Sequence, residues 1–136
     1  MMKQISIFAE NRKGAMAEIT GILAEHQIDI DAMVTNDSAE FGIVRFVLDK
    51  PEEAEAAFQK VGYITKMHTV AAIYMEDGYG ELHRLLAAIS DANINLDYIY
   101  VTFDRQTTSP IAIVKSDTDA SIIENILENR GYRIKK

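Results

Sequence analysis

Hydrophobic and polar residues follow one another with a spacing that changes from that of strands to that of helices and back. Residues 4–8 alternate with period two, which is typical of a β-strand. Residues 15–26 place apolar side chains three and four positions apart and predict an amphipathic helix. Residues 28–35 and 41–48 are rich in β-branched and aromatic residues and, with a polar turn at residues 36–38 between them, predict a hairpin.

The next two elements complete a unit of order βαββαβ. Asp49 is a favourable N-cap for a helix that has Pro51 in its first turn, and Gly62 predicts the end of that helix. Residues 63–68 predict a fourth strand. Such a unit belongs to the α+β class and forms a four-stranded antiparallel sheet with both helices on one face, the ferredoxin-like arrangement.

The second half of the chain repeats the first. A shift of 66 positions places apolar residues on apolar residues and also superimposes Glu10, Gly14 and Asp31 on the identical residues Glu76, Gly80 and Asp97. The repeat predicts strands at residues 70–75, 94–103, 110–115 and 132–134, and helices at residues 81–92 and 119–129. We therefore predict two ferredoxin-like βαββαβ domains, residues 1–69 and 70–136.

Composition and charge argue against several classes of partner. The 136 residues include 21 Asp and Glu but only 14 Lys and Arg, so the net charge is −7. Binding to nucleic acids or anionic membranes requires a basic face, which this composition argues against. The absence of cysteine excludes disulfides and thiol catalysis. The longest apolar run, residues 70–75, is far shorter than the roughly 20 residues of a membrane helix, and the start of the sequence predicts no signal peptide. We expect a cytoplasmic protein that binds neither nucleic acid nor membrane.

Motifs for catalysis and metal binding do not occur in the sequence. The three histidines lack the spacing of metal ligands, and there is no nucleophile elbow, phosphate-binding loop or dinucleotide fingerprint. Tyr98, Tyr100 and Phe103 on one predicted strand could stack on bases, but the acidic charge argues against that interpretation. We therefore predict a protein that is not an enzyme and has no cofactor or metal.

The strand-to-helix turn that occurs in both halves is the candidate binding site. A glycine at a helix start, here Gly14 or Gly80, lets backbone N–H groups point outward, and together with the helix dipole they suit a small carboxylate. We expect Asp29 and Asn95, which follow the same helices, to lie next to these turns in space, where a side-chain oxygen could accept a hydrogen bond from an ammonium group. The two features together describe an α-amino acid; alternatively, the glycines only permit the turn.

A doubled motif surrounds these glycines. Residues 10–16 read Glu-Asn-Arg-Lys-Gly-Ala-Met and are followed by Ile-Asp-Ile at 28–30, and residues 76–82 with 93–96 form a second copy. This motif resembles the signature of ACT domains, the small regulatory modules of amino-acid metabolism. The resemblance covers nearly the whole chain. It implies a free-standing tandem ACT-domain protein in which domains pair side by side, as a homodimer, with an effector amino acid between a glycine turn and the neighbouring domain.

The resemblance also implies the residues of the site. Serine-responsive members use an Asn in the turn and a second Asn after the first helix, at the positions of Asn11 and Asp29 in the first half and of Asp77 and Asn95 in the second. The expected ligand-binding residues are Asn11, Gly14, Ala15, Met16, Ile28, Asp29, Asp77, Gly80, Glu81, Leu82, Ile94 and Asn95.

The function implied by the resemblance is non-catalytic sensing of an amino acid, with the signal passed to a separate enzyme. Two alternatives stay open at this point. One is a small enzyme of ferredoxin-like fold, and the other is a structural adaptor whose glycine turns bind no effector.

Overall fold

The computed structural model describes residues 1–36 and 41–136. The helices and strands, in chain order, are β1 (Met2–Glu10), α1 (Ala15–Glu25), β2 (Ile30–Asn36), β3 (Phe41–Leu48), α2 (Pro51–Lys60), β4 (Ile64–Tyr74), α3 (Glu81–Asp91), β5 (Leu96–Phe103), β6 (Pro110–Ser116) and α4 (Ala120–Asn129). The predicted α+β class and the repeated order of elements are confirmed.

Residues 3–68 form one of two compact units. Its strands are ordered β2-β3-β1-β4, and the β1–β3 and β2–β3 pairs are antiparallel, with Phe46 opposite both Ile5 and Met33. One face of this sheet and both helices enclose a core, because apolar residues recur with period two in the strands and at helical spacing in α1 and α2. The buried core residues are Ile5, Ile7, Ala9, Ile19, Leu23, Ile28, Val44, Phe46, Leu48, Ala54 and Phe58.

Residues 1–2 and 69–136 form the other unit. Its strands are ordered β4-β6-β5, both pairs being antiparallel, and Ile134 adds a single bridge to Ile73 where a short final strand was predicted. Apolar residues of α3 and α4 cover one face of the sheet. The buried core residues are Ala71, Ile73, Leu85, Ala88, Ile89, Ile94, Ala112, Val114, Ala120, Ile123, Leu127, Tyr132 and Ile134.

Two details differ from the sequence prediction. Asp49 does not cap α2: the N-cap residue is Lys50, without a side-chain cap, and the Asp49 carboxylate accepts a hydrogen bond from the Asp29 backbone N–H at 2.9 Å. The strands predicted at 63–68 and 70–75 are one continuous strand, β4, because no turn residue interrupts them. Residues 37 and 38 of the predicted polar turn lie outside the described residues.

Asp104 organises the loop between β5 and β6. The Tyr74 hydroxyl donates to Asp104 Oδ2 at 2.5 Å, and Lys135 Nζ lies 3.1 Å from the same oxygen. Asp104 Oδ1 accepts from the backbone N–H of Gln106 at 2.8 Å. These donors, the Tyr74 hydroxyl first among them, hold the pKa of the Asp104 carboxyl well below its usual range, because they stabilise its charged form. Asp104 is therefore a structural carboxylate of this loop.

Candidate functional site

Both glycine turns have the backbone conformation that requires glycine. Gly14 has φ 85° and ψ −2°, and Gly80 has φ 77° and ψ 1°, in the left-handed region that other residues rarely adopt. The Ala15 N–H donates to the Arg12 carbonyl at 3.2 Å, and the Glu81 N–H donates to the Gly78 carbonyl at 3.4 Å. These N–H groups close the turns, so a carboxylate would have to use N–H groups further into the first helical turn.

A cavity of about 320 Å³ lies beside the first glycine turn. The turn and the start of α1 form one wall, and the β2–β3 hairpin forms the other. Its lining residues are Ala9, Glu10, Asn11, Arg12, Ala15, Met16, Thr35, Gly42, Ile43 and Val44. Among the described residues, the lining combines one acidic and one basic side chain with apolar surface, which matches an α-amino acid zwitterion in charge and fits a small ligand in size.

A second cavity, of about 280 Å³, lies in the same unit. It shares Ala9, Glu10, Arg12 and Ala15 with the first cavity. The residues that line only this second cavity are Phe8, Glu18, Val61, Gly62, Tyr63 and Ile64. The turn before α1 therefore contributes to two depressions, and Arg12 is the basic residue of both.

Arg12, Glu18 and Tyr63 form a polar cluster at this turn. Arg12 Nη2 donates to Glu18 Oε2 at 2.8 Å, and the Tyr63 hydroxyl donates to Glu18 Oε1 at 2.5 Å. These two hydrogen bonds, that from Tyr63 first, lower the pKa of Glu18. Burial, and secondly the bond to Glu18, raise the pKa of Tyr63 to about 12. Glu18 is consequently a carboxylate whose two oxygens are both engaged.

The structure brings together some of the predicted residues of the first half and separates others. Asn11, Ala15 and Met16 line the larger cavity, next to Gly14. Asp29 follows the opposite end of α1, whose eleven residues span about 16 Å at about 1.5 Å per residue. Ile28 is a buried core residue at that same end. One small amino acid therefore cannot contact both ends of α1 within this unit.

The predicted residues of the second half show the same division. Asp77 and Gly80 are exposed at the turn, Leu82 is exposed in the first turn of α3, and Glu81 Oε2 lies 3.1 Å from Arg84 Nε. Asn95 follows the far end of α3, where its carbonyl accepts from the Ser116 hydroxyl at 2.6 Å, and Ile94 is buried in the core. A cavity of about 60 Å³ in this unit is lined by Tyr74, Met75, Glu76, Arg84, Gly131, Tyr132 and Arg133.

Comparison with known families and structures identifies the fold family. The family model described as an ACT domain pair matches residues 1–135. The chain belongs to the ACT domain pair family. This confirms the resemblance drawn from the doubled motif. A search of curated proteins finds no match.

Solved structures share the fold of this ACT domain pair at low sequence identity. Protein BT0572 from Bacteroides thetaiotaomicron superposes with a TM-score of 0.89 at 23% identity, covering 98% of this chain and 91% of that chain. The ligand-free regulatory subunit of aspartate kinase from Thermus thermophilus has a TM-score of 0.70 at 16% identity, with 94% and 91% covered. The corresponding subunit from Thermus flavus has a TM-score of 0.64 at 17% identity, with 93% and 90% covered.

Sequence reasoning missed several residues of this ACT domain pair that line the larger cavity. Glu10 and Arg12 stand inside the glycine motif, so their charges were a visible signal, yet only the neighbouring Asn11 was assigned. Thr35 and Gly42 come from the β2–β3 hairpin, whose position next to the turn follows from tertiary structure. Within residues 1–36 and 41–136, no helix has both the length and the apolar character needed to cross a bilayer. In the same described ranges, no three potential metal ligands converge.

Proposed function

We propose that this ACT domain pair is a non-catalytic regulatory protein that binds a free amino acid and acts on a separate enzyme. The observation that carries the proposal is the cavity of about 320 Å³ beside Gly14, which presents Glu10 and Arg12 within an otherwise largely uncharged lining. Membership in the ACT family and the likeness of its fold to regulatory subunits of aspartate kinase support a regulatory role.

The proposed ligand lies with its charged end toward the turn. Its carboxylate accepts hydrogen bonds from N–H groups in the first turn of α1, where the helix dipole is positive, with Arg12 nearby. Its ammonium group donates to the Asn11 side-chain oxygen and is balanced by Glu10. Its side chain points toward Ile43 and Val44 of the hairpin, so a short apolar or hydroxyl-bearing side chain fits best.

We further infer that a second copy of the chain completes the site. Asp29 lies about 16 Å from the turn, because the eleven residues of α1 separate them. It can therefore accept a hydrogen bond from the ligand's ammonium group only if it belongs to a neighbouring domain. The arrangement we infer has two-fold symmetry and sets two copies side by side, with Asp29 of one copy at the turn of the other. The turn at Gly80, with Asp77, Glu81 and Leu82, and the segment of Ile94 and Asn95 form the equivalent proposed site of the second half.

Titration calorimetry against the twenty amino acids tests the binding proposal. The ring of a tyrosine at position 35 would fill the cavity, so we expect the Thr35→Tyr variant to show no heat of binding at the first site. Met33→Tyr is the matched control, because Met33 lies two residues earlier on β2, is 48% exposed and does not line the cavity. Binding that survives Thr35→Tyr unchanged, or that Met33→Tyr removes equally, would place the ligand elsewhere.

The regulatory half of the proposal requires a different experiment. The protein, immobilised and exposed to extract from its native cells, should retain an enzyme to an extent that changes when the bound amino acid is added. Equal retention with and without the amino acid would contradict effector-coupled regulation. Turnover of a substrate by the purified protein alone would contradict the non-catalytic role and favour the small-enzyme alternative.

A further inference from the structure

Arg12 stands between the two cavities beside the first glycine turn and already has carboxylate partners. Its Nη2 donates to Glu18 Oε2 at 2.8 Å, and its Nε lies 3.8 Å from Glu10 Oε2. Glu18 is held from the other side by the Tyr63 hydroxyl. A ligand carboxylate in the larger cavity would thus meet a cation that is partly neutralised by Glu18.

The donors of Arg12 are not exhausted by these contacts. A guanidinium group has five N–H donors, and the hydrogen bond to Glu18 and the ion pair with Glu10 involve only Nη2 and Nε. Neither contact uses Nη1, which carries two of the five donors. Of the described residues that line either cavity, Arg12 is also the single basic one. A carboxylate that enters the larger cavity therefore has one cationic side chain to bind.

The existing ion pair is weak enough to be exchanged. The side chains of Arg12 and Glu18 are 47% and 49% exposed, and pairs between exposed charges stabilise little because water and salt screen them. Glu18 would also keep the Tyr63 hydroxyl as a donor if the guanidinium turned toward a ligand. Releasing Arg12 thus leaves no buried charge without a partner.

We propose that Arg12 binds the carboxylate of the amino acid and that Glu18 competes with the ligand for Arg12, which sets the affinity of the site. This inference rests on the proposed function. It makes Arg12 a ligand-binding residue and Glu18 a positioning residue that acts through Arg12.

The exchange also connects the ligand to a second region of the unit. Tyr63 stands at the junction of α2 and β4, and its ring packs edge-on against Phe58, with ring centroids 5.8 Å apart. When the ligand takes Arg12, Glu18 keeps only Tyr63, and the second cavity loses its cation. Ligand binding in the larger cavity thereby changes the charge of the second cavity, which Val61 and Ile64 line.

The test is a double-mutant cycle on the dissociation constant of whichever amino acid the wild-type protein binds. Arg12→Gln should weaken binding about 10- to 100-fold, the usual effect of losing hydrogen bonds from a charged donor. Glu18→Gln should strengthen binding about two- to five-fold, because it removes an exposed competitor. In the Arg12→Gln background, Glu18→Gln should change nothing, because Glu18 acts only through Arg12.

Arg130→Gln is the control for charge. Arg130 is also an exposed arginine, paired with Asp91 at 3.8 Å in the other unit, and its loss should leave the dissociation constant unchanged. Circular dichroism of each variant shows whether the fold is retained. We expect that it is, because all the substituted side chains are exposed.

Three results would overturn the inference. Amino-acid binding unchanged by Arg12→Gln would remove Arg12 from the site while leaving the proposed function intact. A strengthening by Glu18→Gln that persists without Arg12 would show a general charge effect in place of competition. A wild-type protein that binds none of the twenty amino acids would overturn both this inference and the proposed function.

Discussion

Two alanine substitutions on one helix should change stability in opposite directions. Gly14 and Gly21 are the N-cap and a mid-helix residue of α1. A Cβ atom added at either position meets nothing within 4 Å, so neither substitution creates a clash or fills a void. The two sites differ in backbone conformation, because Gly14 has φ 85° whereas Gly21 has ordinary helical geometry.

The magnitudes follow from that difference. An L-residue in the left-handed region costs about 1–2 kcal/mol, and the lower entropy of the unfolded alanine chain offsets about 0.4–1 kcal/mol of this. We therefore expect Gly14→Ala to lower the free energy of unfolding by about 1 kcal/mol. Gly21→Ala should raise it by about 0.5–1 kcal/mol, because glycine inside a helix is less favourable than alanine by that amount. The two variants should differ by about 2 kcal/mol.

Urea unfolding at 25 °C, followed by far-ultraviolet circular dichroism, measures this difference. Gly80→Ala serves as a second test, since φ there is 77° and the added Cβ again meets nothing within 4 Å. It should resemble Gly14→Ala. Equal effects of the Gly14 and Gly21 substitutions, or a stabilising effect of Gly14→Ala, would refute the argument that backbone conformation selects glycine at the turn.

Three further predictions concern the loop carboxylate, the core and assembly. The pKa of Asp104 is lowered in the folded state, so its carboxylate contributes to the free energy of unfolding above about pH 4, and this contribution is lost on acidification. Asp104→Asn should therefore lower stability at pH 7 and reduce the fall of the urea midpoint between about pH 5 and pH 2. Phe58→Ala should cost about 3–5 kcal/mol, since Phe58 is 0% exposed, whereas Val61→Ala, at 60% exposure, should cost under about 0.5 kcal/mol by the same denaturation assay. Light scattering should give twice the chain mass at tens of micromolar protein, because a dimer of about micromolar affinity is formed at that concentration. A monomer mass would contradict the two-copy site.

Much of the fold could be predicted because it is encoded in local patterns. Ile19 and Leu23 mark the buried face of α1 by spacing alone, and both lie in the core. The two glycines that precede α1 and α3 were identified by their positions in the repeat, and both have positive φ. Periodicity and turn residues act over a few positions, so the sequence displays them directly.

The details that sequence reasoning missed depend on contacts between distant segments. Asp49 has the side chain of a helix cap, but the nearby start of β2 offers it the Asp29 N–H, a partner twenty residues away. Tyr63 and Glu18 are 45 residues apart and meet because α1 and the start of β4 are neighbours in the folded unit. No local pattern reports such contacts, since strand register and helix packing decide them.

The cavity was missed in part for the same reason. The glycine motif indicated one wall, and the assignment of Asn11, Ala15 and Met16 to the site stays a prediction that the cavity supports. The other wall comes from the β2–β3 hairpin, whose approach to the turn is a property of the folded sheet. Asp29 was expected next to the Gly14 turn in space, whereas α1 holds the two residues at opposite ends.

Amide chemical-shift mapping tests the central claim most directly. The ¹⁵N-labelled protein is titrated with the amino acids, and the backbone N–H shifts are followed at every residue. Our account predicts saturable changes for at least one amino acid, concentrated at residues 10–16 and at Thr35 and Ile43, the two walls of the cavity. The account would be contradicted if none of the twenty amino acids caused saturable shift changes. It would also be contradicted if the changes were confined to residues outside both cavity walls and both glycine turns.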